Sequence, residues 1–276
     1  MKLGCSTWSY HHAFETGTID IFKFVDICAN DLVLDGVELL DFHLDKAGVD
    51  FKELKNYIVR RGLSISCISV SNNFGYLSEE KLRDEVEKVK RWIDITRDFG
   101  APIIRVFAGW EGPAPWDAEF GTERADKEKI WPGLIWCMKE CVVYGEERGI
   151  LLAVENHNHR GLVHTREDAE KILKEVDSPW FGLNIDTAGY TDHEWNEVRE
   201  VDYDAIESTV GKALQVHLKI VSPAKDSIDT FLDYDRIFDI LFRSRYRGFV
   251  SLEYDWDEEF NGIPRTVSLI KEKLGR

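Results

Sequence analysis

The chain has 276 residues, of which 43% are hydrophobic and 31% charged, and a formal net charge of −16 from 35 basic and 51 acidic residues. This length is enough to bury a large core in one domain. The excess of negative charge repels phosphate backbones and argues against nucleic acid as a partner. No apolar run approaches the roughly 20 residues of a membrane span, which argues against a membrane protein.

The N-terminus and the cysteines indicate the compartment. The segment from Met1 to Tyr10 is predicted to form a strand from its second residue. It lacks the charged leader and following apolar stretch of a secretory signal peptide, so we expect a cytoplasmic location. Five cysteines are an odd number, and we expect them to be reduced core residues.

A short apolar strand followed by an amphipathic helix recurs along the chain. Eight strands are predicted: Lys2–Thr7, Gly36–Leu39, Ser64–Val70, Ile103–Phe107, Ile150–Glu155, Phe181–Asp186, Ala213–Leu218 and Phe249–Tyr254. Strands that alternate with helices pair in parallel, either in a closed barrel or in a doubly wound sheet. No glycine-rich phosphate turn follows the first strand, which favours one (β/α)8 TIM barrel over residues 1–276.

Capping residues bound two of the predicted helices. Ser78 can cap a helix that runs to Phe99 and ends at Gly100. Thr165 and Asp168 have the spacing of a capping box for the helix Arg166–Val176.

Two connections, Ala108–Lys127 and Thr187–Val201, are longer than ordinary βα loops and are predicted to be substrate lids or subunit-contact loops.

Four polar residues lie at or near the ends of successive predicted strands. Glu155 ends strand five, Asp186 ends strand six, and His217 and Glu253 lie near the ends of strands seven and eight. Strand ends of a barrel converge on one mouth, where three carboxylates would repel each other without a cation. A single such residue is more often only a hydrogen-bond acceptor. Four of them at corresponding positions of successive strands predict a site for one divalent metal ion, with Mn²⁺ favoured over Mg²⁺, Co²⁺ or Zn²⁺.

Four segments in this order resemble the xylose-isomerase-like superfamily of sugar-phosphate isomerases and epimerases. They are VENHN (154–158), NIDTAG (184–189), VHLK (216–219) and SLEYD (251–255). The resemblance implies the same four metal ligands, with Glu155 and Glu253 also acting as the acid/base pair, and it suggests a homodimer or homotetramer.

Two departures from the superfamily patterns narrow the choice of activity. The epimerase pattern has a substrate-holding histidine three residues after the aspartate ligand, where this chain has Gly189. The endonuclease IV pattern needs further histidines, but the ends of strands three and four carry Asn72, Asn73 and Phe107 to Trp110. One metal is therefore expected, and a nuclease is not.

Such a site predicts enediolate chemistry on a small sugar or polyol. The metal polarises a carbonyl, and one glutamate removes the neighbouring proton. Six residues are predicted to bind substrate: Trp8, Asn72, Arg105, Trp110, His157 and Lys219. Alternatively, Asn72 only caps a turn, Arg105 neutralises acid, His157 bonds to backbone and Lys219 pairs with a ligand carboxylate.

Three functions remain open at this point. The first is an isomerase or epimerase of a ketose or keto-polyol. The second is a dehydratase of an inosose or oxidised sugar, in which His157 or Lys219 would protonate the departing hydroxyl. The third is a non-catalytic sugar-binding subunit.

Overall fold

The structure is a computed structural model that describes residues 1–117, 125–157, 161–190 and 200–276. Within these residues eight parallel strands pair in chain order and close on themselves, which confirms the predicted (β/α)8 barrel. The strands are β1 (Lys2–Ser6), β2 (Gly36–Leu40), β3 (Ser64–Ser69), β4 (Ile103–Phe107), β5 (Leu151–Glu155), β6 (Phe181–Asp186), β7 (Ala213–Ile220) and β8 (Phe249–Tyr254).

Helices follow the strands around the outside of the barrel. They are α1 (His11–Glu15), α2 (Ile21–Asp26), α3 (Asp41–Ala47), α4 (Phe51–Arg60), α5 (Glu79–Phe99), α6 (Lys127–Glu146), α7 (Arg166–Val176), α8 (Tyr203–Thr209), α9 (Tyr234–Arg243) and α10 (Glu259–Lys273).

The predicted caps are present. The Ser78 side chain accepts from the backbone N–H of Lys81 at the start of α5, and Gly100 ends that helix in the left-handed conformation. Thr165 and Asp168 form both halves of a capping box at the start of α7.

Alternation along the strands divides the interior into two parts. Ile104 and Val106 of β4 belong to the large core between strands and helices, whereas Ile103 packs with Cys67 and Ala153 in a small separate cluster. Because side chains of a strand point alternately to its two faces, this small cluster lies inside the barrel. Arg105 lies two residues after Ile103 on β4, and Glu155 lies two residues after Ala153 on β5. Both side chains therefore also point into the barrel, nearer its mouth.

β7 is two residues longer than predicted and ends at Ile220 rather than Leu218. His217 therefore lies three residues before the strand end, and Lys219 belongs to the strand, on the same face as His217. All five cysteines are buried and free, as expected.

The two long connections lie partly outside the described residues, at 118–124 and 191–199, so their predicted roles stay untested. No helix in the described parts of the chain combines the length and the apolarity needed to cross a bilayer.

Candidate metal centre

The barrel brings the four predicted ligands together. Glu155 and Asp186 are the last residues of β5 and β6, His217 pairs with Asp186 across β6 and β7, and Glu253 pairs with Lys219 across β7 and β8. One ligand atom from each of the four lies within 4.8 Å of the corresponding atoms of the others. The four residues, which are about one βα unit apart in the sequence, therefore lie next to one another around one point.

The imidazole of His217 provides the clearest test of whether this donor set suits a cation. Its Nδ1 lies 2.7 Å from Oε2 of Glu253 and 3.4 Å from Oε2 of Glu155. Nevertheless, this buried nitrogen makes no hydrogen bond of acceptable geometry to any described group. A nitrogen and two carboxylates that face one another without hydrogen bonding fit a shared divalent ion, and the mixed nitrogen and oxygen set suits Mn²⁺ or a similar metal.

The other nitrogen of His217 contacts Glu38, a residue that was not among the predicted site residues. Nε2 lies 2.9 and 3.0 Å from the two carboxylate oxygens of Glu38, which is fully buried on β2. Gln215 donates to the same carboxylate at 2.8 Å, and the Ser69 hydroxyl also donates to it. A carboxylate on the outer nitrogen fixes the orientation and tautomer of a metal-binding histidine.

Glu38 carried one signal in the sequence. It is the one charged residue in the otherwise apolar segment GVELL, and the structure buries all five residues of this strand. Ionisable side chains are rarely fully buried without a partner, so an acid in such a strand predicts a polar contact inside the barrel. The partner itself lies 179 residues away in the sequence.

Two cations hold Glu253 in its ionised form. Burial alone would raise the pKa of Glu253, but Lys219 and His217 lower it well below its usual range. Lys219 donates to Oε1 of Glu253 at 2.8 Å and also lies 3.3 Å from Asp255. The alternative role considered for Lys219, an ion pair with a ligand carboxylate, is therefore present in the structure.

Asp186 and Glu155 have different surroundings. Burial, with the nearby charge of Glu253, raises the pKa of Asp186 to about 7. The Asp186 carboxylate accepts from the backbone N–H of Ala188 at 2.7 Å. Glu155 accepts from the side-chain amide of Asn184 at 3.0 Å, and Nε of Arg105 lies 3.0 Å from the same oxygen.

A cavity of about 280 Å³ opens beside the four residues. Glu155, Asp186 and Glu253 line it, as do five of the six residues predicted to bind substrate: Trp8, Arg105, Trp110, His157 and Lys219. The structure thus brings these residues to one cavity, and their contact with substrate stays a prediction.

Asn72 is not among the residues that line the cavity. Its fully buried amide donates to the backbone carbonyl of Phe107 at 2.8 Å and accepts from the backbone N–H of Phe107 at 2.9 Å. Its neighbour Asn73 accepts from the backbone N–H of Trp110 at 3.1 Å. The two asparagines fasten the end of β4 and the start of the next loop, and so help to place Trp110 in the cavity wall.

The position of Gly189 leaves no room for a side chain. A Cβ atom there would lie 2.1 Å from the backbone oxygen of Asn156, which is far inside van der Waals contact. Asn156 in turn donates to the backbone oxygen of Asp186 and accepts from its N–H. A histidine at position 189 would therefore require the ends of β5 and β6 to move apart.

The sequence profile of the xylose isomerase-like TIM barrel family matches residues 29–273. The chain belongs to this family. The resemblance seen in the four sequence segments is thereby confirmed. No curated protein matched the chain in a separate sequence search.

Several solved structures share the fold of this family member at low sequence identity. D-psicose 3-epimerase from Clostridium cellulolyticum H10, solved with D-tagatose, has a TM-score of 0.77 and 16% identity over 100% of this chain and 97% of its own. The 3-keto-D-glucoside 4-epimerase YcjR from E. coli has a TM-score of 0.74 and 16% identity, with 99% of both chains covered. The probable 3-DHS dehydratase AsbF from Bacillus anthracis has a TM-score of 0.74 and 18% identity over 98% of this chain and 99% of its own.

Replacing Glu38 by Gln is expected to weaken Mn²⁺ binding roughly 10- to 100-fold, because the amide cannot serve His217 as a carboxylate does. Isothermal titration calorimetry with the metal-free protein measures the change. Asp168→Asn is the matched control, since Asp168 is also a buried acid but accepts from the backbone N–H of Thr165, away from the four candidate ligands. Equal Mn²⁺ affinity in Glu38→Gln and Asp168→Asn would contradict a role for Glu38 in orienting His217.

Metal affinity is expected to rise with pH. Burial alone would lower the pKa of His217, but Glu38, Glu155 and Glu253 raise it well above its usual value, and the pKa of Asp186 is raised to about 7. Both groups therefore hold protons in the metal-free protein below pH 7 and must release them to bind a cation. Calorimetry in buffers of different ionisation enthalpy should show proton release, with affinity falling by about tenfold or more per pH unit below 7. An affinity that does not change between pH 6 and 8 would contradict this assignment of ligands.

Proposed function

We propose that this protein is a divalent-metal-dependent isomerase or epimerase that acts on a ketose or a related keto-polyol. The observation that carries the proposal is the placement of two glutamates around one imidazole. Glu155 comes from β5 and Glu253 from β8, on either side of the β6–β7 pair, and both face Nδ1 of His217.

A divalent cation, with Mn²⁺ preferred, would be held by Glu155, Asp186, His217 and Glu253. When bound, it would supply Lewis acidity toward a substrate carbonyl and the adjacent hydroxyl. We also propose that the protein is cytoplasmic and assembles into a homodimer or homotetramer.

The two glutamates would move the proton. Lys219 keeps Glu253 anionic, so Glu253 can take the proton from the carbon next to the carbonyl. The electron pair of the broken C–H bond moves toward the carbonyl oxygen and forms an enediolate. Delivery of a second proton, carried by Glu155, to the other face of the same carbon gives an epimer; transfer of the proton held by Glu253 to the neighbouring carbon gives an aldose–ketose isomer.

Arg105 and Asn184 would keep Glu155 in position for this second transfer. The guanidinium of Arg105 is buried, and its charge lies beside the same Glu155 oxygen that accepts from Asn184. Two proteins of the same fold, D-psicose 3-epimerase and 3-keto-D-glucoside 4-epimerase, carry names that fit proton transfer at a sugar carbon.

A dehydratase of an inosose or oxidised sugar is the second candidate. Lys219 and His157 line the cavity, so either could protonate a departing hydroxyl after the same proton abstraction. Two further observations favour a dehydratase. The close approach of Gly189 to the backbone of Asn156 leaves no room for the histidine of the epimerase pattern, and the probable dehydratase AsbF shares the fold. An ultraviolet-absorbing enone or diketone product would identify this reaction.

The proposal predicts that Glu155→Gln and Glu253→Gln each slow turnover by roughly 10²-fold or more, because an amide cannot accept the proton. Proton NMR in ²H₂O, with the Mn²⁺-loaded protein and a panel of ketoses and inososes, would follow exchange at the carbon next to the carbonyl. Metal content measured on the same samples separates loss of the base from loss of the ion.

Glu147→Gln, at an exposed residue after α6, is the control that should leave exchange unchanged. Undiminished exchange in Glu253→Gln, or undiminished epimer formation in Glu155→Gln, in protein that retains its metal would refute the two-glutamate mechanism. Absence of metal from protein purified with added Mn²⁺ would instead favour the non-catalytic sugar-binding subunit.

A further inference from the structure

The cavity beside the metal centre has two unlike sides. Its inner end carries the charged residues of the centre, whereas aromatic side chains make up much of the remaining wall. The aromatic residues are Trp8, Phe42, Phe107, Trp110 and Trp116, and we refer to them as the aromatic wall.

The aromatic wall reaches from the buried interior to solvent. Trp110 is almost fully buried, and its ring centroid lies 5.0 Å from that of Phe107 and 4.9 Å from that of Trp116. Trp116 is 51% exposed and Phe42 is 39% exposed. Large aromatic surface that continues outward from a cavity is well suited to contact an apolar group of a ligand.

Two hydrogen-bond donors in this wall have no acceptor in the described part of the chain. The indole Nε1 atoms of Trp8 and Trp110 are both buried without a partner. An indole N–H can only donate, and leaving it unpaired in the interior costs free energy. Ether, hydroxyl or carbonyl oxygens of a sugar would satisfy both donors.

The cations that line the cavity are already paired. Arg105 lies 3.0 Å from Glu155, and Lys219 lies 2.8 and 3.3 Å from Glu253 and Asp255. Within the described residues, the lining therefore offers no arginine or lysine without a carboxylate partner. A phosphorylated sugar would add two negative charges to a mouth that contains three ligand carboxylates and Asp255, which disfavours it.

The outer part of the aromatic wall, made by the half-exposed rings of Trp116 and Phe42, suits an apolar group better than a hydroxyl group. Two serines also line the cavity: the Ser6 hydroxyl accepts from the backbone N–H of Trp8, and the Ser71 hydroxyl donates to Asp41. Hydroxyl groups placed against the faces of these two outer rings would lose water without gaining an acceptor from the rings, at a cost in free energy. An apolar substituent in the same place would gain from leaving water.

We infer that the substrate is an unphosphorylated keto-sugar with an apolar substituent, most simply an aryl aglycone in a keto-glycoside. The inference rests on the proposed function for the position of the sugar. The keto-sugar oxygens face the metal centre, Trp8 and Trp110 donate to further oxygens of the sugar, and the aglycone lies against Trp116 and Phe42 at the rim.

A matched series tests this assignment: 3-keto-glucose, its 6-phosphate, and 4-nitrophenyl 3-keto-β-glucoside. Binding to the Mn²⁺-loaded protein is measured by calorimetry, and carbon-bound proton exchange by NMR in ²H₂O. We expect the aryl glycoside to bind about tenfold more tightly than 3-keto-glucose, the gain that aromatic stacking and burial provide. The phosphate should bind more weakly than 3-keto-glucose.

Trp116→Ala should abolish the preference for the aryl glycoside over 3-keto-glucose, measured as the ratio of the two affinities. Trp256→Ala is the matched control, because Trp256 is similarly exposed, at 49%, but does not line the cavity. An aryl preference that survives in Trp116→Ala, tightest binding of the phosphate, or no binding by any of the three compounds would overturn the inference.

The two failures can be told apart. Exchange of free ketoses without an aryl preference would overturn the inference and leave the proposed function standing. An aryl preference that depends on Trp116, without proton exchange on any compound, would support the aromatic subsite and count against the proposed function.

Discussion

The arrangement of this barrel mouth is governed by the cost of gathering buried negative charge. Glu155, Asp186 and Glu253 converge within 4.8 Å of a single imidazole, and Glu38 lies directly behind that imidazole. Removing carboxylates from water beside one another is expensive unless positive charge compensates them. A divalent ion at the point that these side chains face would provide that compensation.

The protein itself provides part of the compensation. Arg105 lies against Glu155, Lys219 lies against Glu253, and both cations come from the strands rather than from loops. Rigid strands keep these charges in place, so the site is organised before substrate binds. The same pairing leaves the cations with little capacity to bind a phosphate, which connects the electrostatics of the centre to the kind of substrate proposed.

Much of the architecture could be predicted because it depends on local patterns. The alternation of strands and helices predicted the barrel, and the spacing of Glu155, Asp186, His217 and Glu253 at about one βα unit predicted that these four residues would meet. The contacts that could not be predicted from the sequence join distant parts of the chain. Glu38 meets His217 across 179 residues, and the backbone-binding role of Asn72 depends on Phe107 of the next strand. No local pattern specifies such partners, since they follow from barrel closure and register.

We propose that one cation binds where these four residues converge. Anomalous diffraction at the manganese edge, from crystals grown with Mn²⁺, tests it most directly. We predict a single anomalous peak within coordination distance of Nδ1 of His217 and of the carboxylates of Glu155, Asp186 and Glu253. A peak elsewhere, or no peak at this point with Mn²⁺ in excess, would contradict it.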